Sequence, residues 1–543
     1  MQPWDCRQLR HSTSLRLLAA ALVGCLALAT LAGCAASAKQ TRDPNTLVVL
    51  ELADGDTLNP IFSSNYYSFL YESLIFDGLV TVGDNFTDAP DLATSWKSTP
   101  DKLHWTAELR RGVLWSDGEP FTSRDVAFTW RTLLDPKTGF PYRGQFTYIK
   151  SVTAEGDYRV RFDLASKNAL FVSQGLGTQI LPEHILGKIP PAQLRTSDFG
   201  AHPVGTGPYV LEHWQHDQEA AFAANPRWYG GAATVKRIVF QVVLNDEART
   251  DAMEEGAADI DDQVGVAAYG MLQNGRRHLV TVRVPDLYTT FIFVNFRRPG
   301  LGDPSVRHAM MYGWDRAAVV RGLYHGDYDL ASGIVPAGIT RWYNPHVRKY
   351  PYDPAHARAI LDAAGYLPGP DGTRRKGNVR LSYVLFDTPA NGHPDLDAEF
   401  QADMRGIGID IVVREIDFAT EINNQTEGKY DLSLINWGGV PDPDQTTLMG
   451  CDQFPPNGNN DMFYCNKRLS RDLDVGLQTV DYAARRKIYD QVQQIIADDV
   501  PVLYFAFPYY ELAMSPRVHL DLKTVLPDLY LYRDVQHWKL GPL

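Results

Sequence analysis

The chain has 543 residues, of which 44% are apolar and 22% charged, and its formal net charge at pH 7 is −13. This balance supports buried cores in more than one domain and excludes a disordered, collagen-like or coiled-coil protein. The acidic charge, with no basic stretch interleaved with aromatic residues, argues against a nucleic-acid partner.

The first 33 residues have the layout of a secretory signal. Three arginines precede an uncharged apolar run at 17–33, which ends in the sequence LAGC at 31–34. A transmembrane anchor is the alternative, but it needs about 20 apolar residues. The LAGC sequence resembles the bacterial lipoprotein box, which implies cleavage before Cys34, lipidation of its thiol and a tether at 34–44. Removing one Asp and three Arg changes the net charge from −13 to −15.

The cysteines fit an exported chain, in which disulfides can form. Cys6 and Cys25 leave with the signal and Cys34 is lipidated, so Cys451 and Cys465 remain as a pair. They flank a loop rich in Gly and Pro, and we expect a disulfide between them. The alternative is two buried free thiols.

Strands and helices alternate along the mature chain, which favours an α/β fold with mixed sheets. Thr122 and Asp125 have the spacing of a capping box at a helix start, and Gly256 is placed to end a helix. The predicted strands lie at 46–50, 103–110, 209–214, 238–243, 258–260, 409–413, 430–437 and 502–507. The predicted helices begin after Thr122, Asp303 and Asp353 and lie at 246–255, 396–405 and 482–498.

Motifs for catalysis are missing from the sequence. The GTGP stretch at 205–208 has no third glycine and Pro208 blocks a following helix, so no dinucleotide site is predicted. The carboxylate pairs at 254–255 and 261–262 are interpreted as solvated helix ends rather than as the acid pair of a glycosidase. We therefore expect no catalytic residues, no metal and no cofactor.

Several segments together resemble the bacterial extracellular solute-binding proteins of family 5, and they follow the family order over nearly the whole mature chain. They are TLNP at 57–60, YESLIFDGL at 71–79, PDLATSW at 90–96, WTAELRRGVLWSDGEPFT at 105–122, VGTGPY at 204–209, NPRWY at 225–229, GAADI at 256–260, VRHA at 306–309 and DPAHARAILDAAGY at 353–366.

The resemblance implies an α/β, two-lobed periplasmic-binding-protein fold of type II, with hinge strands and an extra subdomain in lobe one. Lobe one is expected at 45–288 with 505–543, the subdomain at about 85–188, and lobe two at 289–504. The implied function is capture of a peptide or peptide-like solute for the permease subunits of an ABC importer. The implied protein is a monomer, exported and held at the cell envelope by its lipid.

In peptide-binding relatives the ligand lies extended between the lobes and pairs with strand-like segments. One such segment matches 63–66, which makes Ser64, Asn65 and Tyr66 candidate ligand contacts. The other matches 436–439. Its candidates are Asn436, Trp437, Gly438 and Gly439, with Trp437 flanking the cleft and the glycines permitting close backbone approach. Core packing is the alternative role for Trp437 and, more strongly, for Tyr66.

The chain departs from the family where peptide binders carry an Asp three residues after that Trp to pair with the ligand ammonium. Val440 stands at this position. Either Asp442, our candidate, or Asp444 takes that role, or the ligand has no free amine, because a buried ammonium without a partner costs several kcal/mol.

Two alternative functions remain open from the sequence. One is a secreted lipoprotein enzyme such as a glycoside hydrolase, suggested by the aromatic content, acidity and export. The other is a sensor that closes on its ligand and docks to a receptor without transport.

Overall fold

The computed structural model describes residues 43–275, 277–388, 394–438 and 441–542. The predicted signal at 1–33, the lipidation site Cys34 and most of the tether lie outside these residues, as do Gly439 and Val440. Over the described ranges, no helix combines the length and the apolar character needed to cross a membrane.

The strands, in chain order, are β1 Thr46–Glu51, β2 Val80–Val82, β3 Asp88–Pro90, β4 Ala93–Ser98, β5 His104–Leu109, β6 Ile149–Ala154, β7 Arg159–Leu164, β8 Tyr209–Gln215, β9 Glu219–Ala224, β10 Arg237–Val242, β11 Ile260–Asp261, β12 Val280–Pro285, β13 Tyr288–Val294, β14 Tyr328–Leu330, β15 Leu367–Pro368, β16 Arg374–Lys376, β17 Val379–Arg380, β18 Ser382–Asp387, β19 Asp410–Glu415, β20 Leu432–Gly438, β21 Val502–Met514, β22 Val518–His519 and β23 Lys539–Leu540.

The α-helices, in chain order, are α1 Tyr66–Ile75, α2 Ser123–Leu134, α3 Glu183–Leu186, α4 Asp246–Glu255, α5 Val266–Gln273, α6 Pro304–Gly313, α7 Arg316–Leu323, α8 Pro354–Ala363, α9 Pro394–Gly406, α10 Phe418–Glu427, α11 Thr446–Met449, α12 Lys467–Gln478 and α13 Tyr482–Asp499. Short 3₁₀ or π segments include Asp84–Phe86, Phe171–Leu176 and Asp528–His537.

Local signals in the sequence account for several helix ends. The backbone N of Arg124 donates to Thr122 Oγ1 at 3.3 Å, and the backbone N of Thr122 donates to Asp125 Oδ2 at 2.8 Å. This confirms the capping box at α2. Gly256 follows α4 with φ at 74°, a left-handed conformation that glycine adopts without strain.

A mixed sheet joins the two halves of the molecule. Among the described residues it has twelve strands, ordered β19-β18-β20-β13-β21-β11-β1-β10-β9-β8, with β12 and β14 also paired to β21. β1 is parallel to β10 and β11, whereas β13 is antiparallel to both β20 and β21. Because β21 has neighbours from both halves, it lies at the centre of the architecture.

The long strand β21 passes from one half of the molecule to the other. Its residues 502–506 pair with β13, and its residues 509–514 pair with β12. The first six residues of β21 are all buried, as expected for an apolar strand covered on both faces. The sequence predicted only 502–507, so the crossing itself is a finding of the structure. The β12–β13 connection forms the second link between the halves.

The buried apolar side chains of the described residues form two main cores, which correspond to two lobes. One core takes side chains from between Leu47 and Ile260 and again from between Tyr510 and Trp538. The other takes side chains from between Leu287 and Phe507. The lobe limits set from the sequence stay a prediction.

A separate four-stranded antiparallel sheet, ordered β4-β5-β7-β6, lies within the range at about 85–188 where the extra subdomain is expected, and that subdomain stays a prediction. In β5 the side chains of Trp105, Ala107 and Leu109 are buried while their neighbours are partly exposed, the alternation of a half-buried strand, which confirms the strand predicted at 103–110. Trp130 of α2 packs on this sheet, with its ring centroid 6.4 Å from that of Phe162. In lobe two, Cys451 and Cys465 form a disulfide.

Candidate functional site

A cavity of about 470 Å³ lies between the lobes, beside the strands that connect them. The wall from lobe one includes Tyr66 at the start of α1 and Tyr510 of β21. The wall from lobe two includes Thr290 of β13 and Asn436 of β20. The volume is within the range of small-molecule sites. A solute held here would contact both lobes at once.

The segment at 63–66 presents one tyrosine to this cavity. Asn65 is the N-cap of α1, because its Oδ1 accepts from the backbone N of Ser68 at 2.9 Å. Ser64 Oγ donates to Asp56 Oδ2 at 2.7 Å. Of the three predicted contacts in this segment, Tyr66 lines the cavity. Ser64 and Asn65 hold the turn and the helix that position it, and their contact with ligand stays a prediction.

Asn436 brings a polar group to the wall of lobe two. It lies opposite Thr290 in the β13–β20 pairing, and Thr290 Oγ1 donates to Asn436 Oδ1 at 2.8 Å. Both residues line the cavity. They form a polar patch suited to orienting a solute.

Trp437 and Gly438 support the wall rather than line it. Trp437 is partly buried against the core of lobe two, with its ring centroid 6.3 Å from that of Phe293. A Cβ on Gly438 would lie 3.3 Å from Cε1 of Tyr288, so this glycine allows the cavity-lining Tyr288 to approach the strand. Gly439 lies outside the described residues. Ligand contact by these residues stays a prediction.

Asp442 is not brought together with Tyr66 and Asn436. It borders a separate cavity of about 210 Å³, and its carboxylate accepts two hydrogen bonds from Arg485, at 2.5 and 2.7 Å. Asp444 Oδ1 accepts from the hydroxyls of Thr446 and Tyr489, at 2.7 and 2.9 Å. Both carboxylates therefore already have protein partners, and an amine-pairing role for Asp442 or Asp444 stays a prediction.

Sequence reasoning missed the carboxylates of the cavity. The interpretation of 261–262 as a solvated helix end is wrong, because Asp261 and Asp262 are 2% and 0% exposed at the end of β11. Asp262 Oδ2 accepts from the Tyr532 hydroxyl at 2.7 Å. Asp286 and Asp528 also line the cavity. They lie far apart in the sequence and outside any motif, so no local signal pointed to them.

The cavity shifts the protonation of these carboxyl groups. Burial raises the pKa of Asp286 to about 6 and that of Asp528 to about 7. The neighbouring carboxylates of Asp286 and Asp262 raise the pKa of Asp528 further. Burial also raises the pKa of Asp262, to about 7. These carboxyl groups therefore hold their protons more tightly than exposed carboxyl groups do.

Two lobes joined by hinge strands, with a cavity between them, define a two-lobed solute-binding protein. A family model for bacterial extracellular solute-binding proteins of family 5 (middle region) matches residues 89–457. The chain belongs to this family.

The chain is similar to several known proteins and solved structures. It is 32% identical to protein XP55 of Streptomyces lividans over 471 residues, covering 84% of this chain and 83% of that protein. The solved structure of the oligopeptide-binding protein AppA from Bacillus subtilis, in complex with a nonapeptide, superposes with a TM-score of 0.76 at 24% identity, over 91% of this chain and 99% of AppA. The solved structure of NikZ from Campylobacter jejuni, in complex with Ni(L-His), superposes with a TM-score of 0.78 at 25% identity, over 92% of this chain and 100% of NikZ.

Proposed function

We propose that this protein is the solute-binding component of an ABC importer and that it delivers a peptide or peptide-like solute to the permease. The observation that supports this most strongly is the cavity between the lobes, whose walls include Tyr66 from one lobe and Asn436 from the other. The similarity to AppA, which was solved with a nonapeptide, supports the ligand class.

Closure of the lobes explains how the protein can capture its solute and also present a recognisable form to the permease. A solute that contacts both lobes binds the closed form more tightly than the open form, so it shifts the population toward closure. The strands at 285–290 and 506–509 link the lobes and are placed to absorb this motion. The permease then needs to recognise only the closed form. The solute is released unchanged, and the protein acts as a monomer.

The proposal is tested on protein purified under native conditions. Native mass spectrometry is expected to detect a small solute at one copy per chain, and calorimetry with short peptides is expected to give saturable binding without turnover. Uptake of the solute by cells should require both this protein and a permease. Conversion of the solute to a product would favour an enzyme instead, and binding without loss of uptake in a deletion strain would favour a sensor.

We further propose that the mature chain begins at lipidated Cys34 and is exported to the cell envelope. The apolar run at 17–33 followed by LAGC supports this, and several acyl chains suffice for stable anchoring. Cells expressing Cys34→Ser are expected to lose the membrane-bound form and its palmitate label. Retention of the label in that variant would contradict the proposal.

A further inference from the structure

Carboxylates are the only charged side chains of the described chain that line the cavity between the lobes. Its acidic side chains are Asp262, Asp286, Asp327, Glu511 and Asp528, and no Lys, Arg or His of the described chain lines it. Ionised carboxylates repel an anionic solute and attract a cationic one. The negative charge of this wall therefore favours a ligand with a positive charge.

Only some of these carboxylates are neutralised by the protein. Arg283 pairs with Asp327 and, at 2.8 Å, with Glu511. Asp286 Oδ1 accepts from the backbone N of Leu287 at 2.6 Å. In the described part of the chain, no basic side chain forms an ion pair with Asp286 or Asp528, and the neighbouring charges that act on Asp528 are the carboxylates of Asp286 and Asp262. Two carboxylates at the cavity thus lack a positive partner.

A second feature points to a ligand independently of charge. Tyr510 is only 6% exposed, yet its hydroxyl has no hydrogen-bond partner in the described chain. This side chain lines the cavity and interacts electrostatically with Asp262 and Asp528. A buried hydroxyl without a partner costs free energy, so such a group is expected to acquire a partner when the site is filled.

The backbone at Asp528 adds to this picture. Asp528 has φ at 65°, a left-handed conformation that is uncommon for residues other than glycine. Strained residues of this kind cluster at ligand sites, where the surrounding structure holds them in place.

The remaining wall is rich in tyrosine, with Tyr66, Tyr67, Tyr288, Tyr328, Tyr509 and Tyr510 all on the cavity. Tyrosine faces attract organic cations through their ring electrons. The described chain contains no group of three or more His, Cys, Asp or Glu side chains arranged to hold a metal ion. Carboxylates among aromatic rings suit an ammonium or a guanidinium group better than a metal ion.

We propose that this cavity binds a positively charged organic group of the solute, an ammonium or a guanidinium, between Asp286 and Asp528, with the Tyr510 hydroxyl as an additional hydrogen-bond acceptor. The proposal rests on the proposed function, because it names the chemical class of the solute that the same cleft captures. It places the cation at a site that includes neither Asp442 nor the position of Val440.

The location of the two carboxylates couples this site to closure. Asp528 belongs to the C-terminal part of the chain that packs in lobe one, whereas Asp286 lies in the connection between β12 and β13. Bringing two like charges together opposes closure, and a cation between them reverses the sign of that contribution. A cationic solute would therefore favour the closed form over the open form.

Calorimetry with three matched tripeptides tests the proposal. All three are C-terminal amides: Ala-norleucine-Ala amide carries only the α-ammonium, N-acetyl-Ala-Lys-Ala amide carries only a side-chain ammonium, and N-acetyl-Ala-norleucine-Ala amide carries no charge. At least one cationic peptide is expected to bind about tenfold or more tightly than the uncharged one. The stronger of the two cationic peptides identifies the source of the cation. Equal binding of all three would overturn the proposal.

Two isosteric variants assign the effect to the cavity. Asp286→Asn and Asp528→Asn are each expected to reduce the ratio between cationic and uncharged peptides toward one. Both should fold, because neutralising an unpaired carboxylate removes repulsion rather than a partner, and their Tm should not fall below that of the unmodified protein. Asp474→Asn, on the exposed face of α12, is the matched control and should keep the full ratio.

Agmatine, an organic cation that is not a peptide, tests the cation site independently of the proposed peptide ligand. If no tripeptide binds, the proposed peptide ligand is wrong, and the cation site is then judged by thermal shift with agmatine alone. A rise in Tm for the unmodified protein and for Asp474→Asn, absent in Asp286→Asn and Asp528→Asn, would support the site. No shift in any of the proteins, or the same shift in all four, would overturn it.

Discussion

At the scale of single residues, Asp442 is a candidate ligand contact whose carboxylate is already paired with another side chain of the protein. Its carboxylate forms a two-pronged pair with Arg485, whose side chain is 5% exposed. Arg485 Nε also donates to the carbonyl of Gly476 at 3.1 Å. The pair therefore ties the segment after β20 to α12 and α13, and its first effect should be on stability.

Removing one partner of this pair leaves a buried guanidinium uncompensated. We expect Asp442→Ala to lower the free energy of unfolding by about 3 kcal/mol, measured by urea unfolding without ligand. Asp474→Ala, at an exposed carboxylate, is the control and should change stability by less than about 0.5 kcal/mol. Unchanged stability together with lost binding of free-amine peptides would instead show that Asp442 serves the ligand.

The raised pKa values of two single residues, about 7 for Asp528 and about 6 for Asp286, predict that the stability of the folded protein depends on pH. A carboxyl group whose pKa is raised on folding binds its proton more tightly in the folded state. The contribution to stability is therefore greatest at low pH and is lost as the pH rises from about 4 through 7. The ligand-free protein should lose stability over this window, and Asp528→Asn should show a smaller loss.

Binding of a cationic peptide should respond to pH in the opposite direction. The ionised carboxylates attract the cation, so affinity is expected to rise as the pH increases from 5 to 8. Calorimetry across this range measures the effect, and Asp528→Asn should flatten it. An affinity that falls over the same range would contradict the assignment of these carboxylates to a cation.

At the scale of elements, the disulfide closes the loop between α11 and α12. Cys451 and Cys465 are separated by 14 positions in the chain. Cross-linking a loop of this length restricts the unfolded chain and contributes about 3 kcal/mol. The folded loop is also held by Asn460 Nδ2, which donates to the carbonyls of Gly450 and Tyr464 at 2.9 and 2.8 Å.

We therefore expect the double variant Cys451→Ala with Cys465→Ala to fold and to unfold at a lower urea concentration. The expected loss is about 2–3 kcal/mol, because the hydrogen bonds of Asn460 persist. A reductant should lower the midpoint of the unmodified protein and leave that of the double variant unchanged. Identical midpoints for the two proteins would show that the cross-link does not stabilise the fold.

The elements that the sequence predicted well are those with local causes. The capping box of α2 depends on residues three positions apart, and the end of α4 depends on Gly256 alone. The predicted strand at 502–507 was too short because Pro508 and Tyr509 interrupt its apolar run. The strand continues because β12 and β14 supply partners on either side of this point.

At the scale of the whole molecule, an ion pair across the hinge is placed to bias closure. Arg283 of β12 contacts Asp327, which precedes β14, and also Glu511 of β21. Asp327 is the partner that comes from lobe two. We expect Asp327→Asn to destabilise the closed form and so to increase the radius of gyration of the ligand-free protein, measured by small-angle X-ray scattering.

Peptide affinity should fall in the same variant by about threefold, the effect of a partly exposed ion pair. Glu108→Gln is the control, because it removes a pair with Arg159 that lies wholly within the four-stranded sheet, at 2.6 Å. That control should alter neither the radius of gyration nor the affinity. Equal effects of the two substitutions would mean that Asp327 acts on general stability and not on closure.

The sequence by itself determined the family, the alternation of strands and helices, and the local starts and ends of elements such as α2 and α4, because these depend on residues close together in the chain. The tertiary structure alone decided which side chains share the cavity. Asp286, in the connection between β12 and β13, and Asp528, at the start of the segment Asp528–His537, both line it, and no spacing in the sequence records that proximity. It also decided that Asp442 pairs with Arg485, a contact between positions 43 apart.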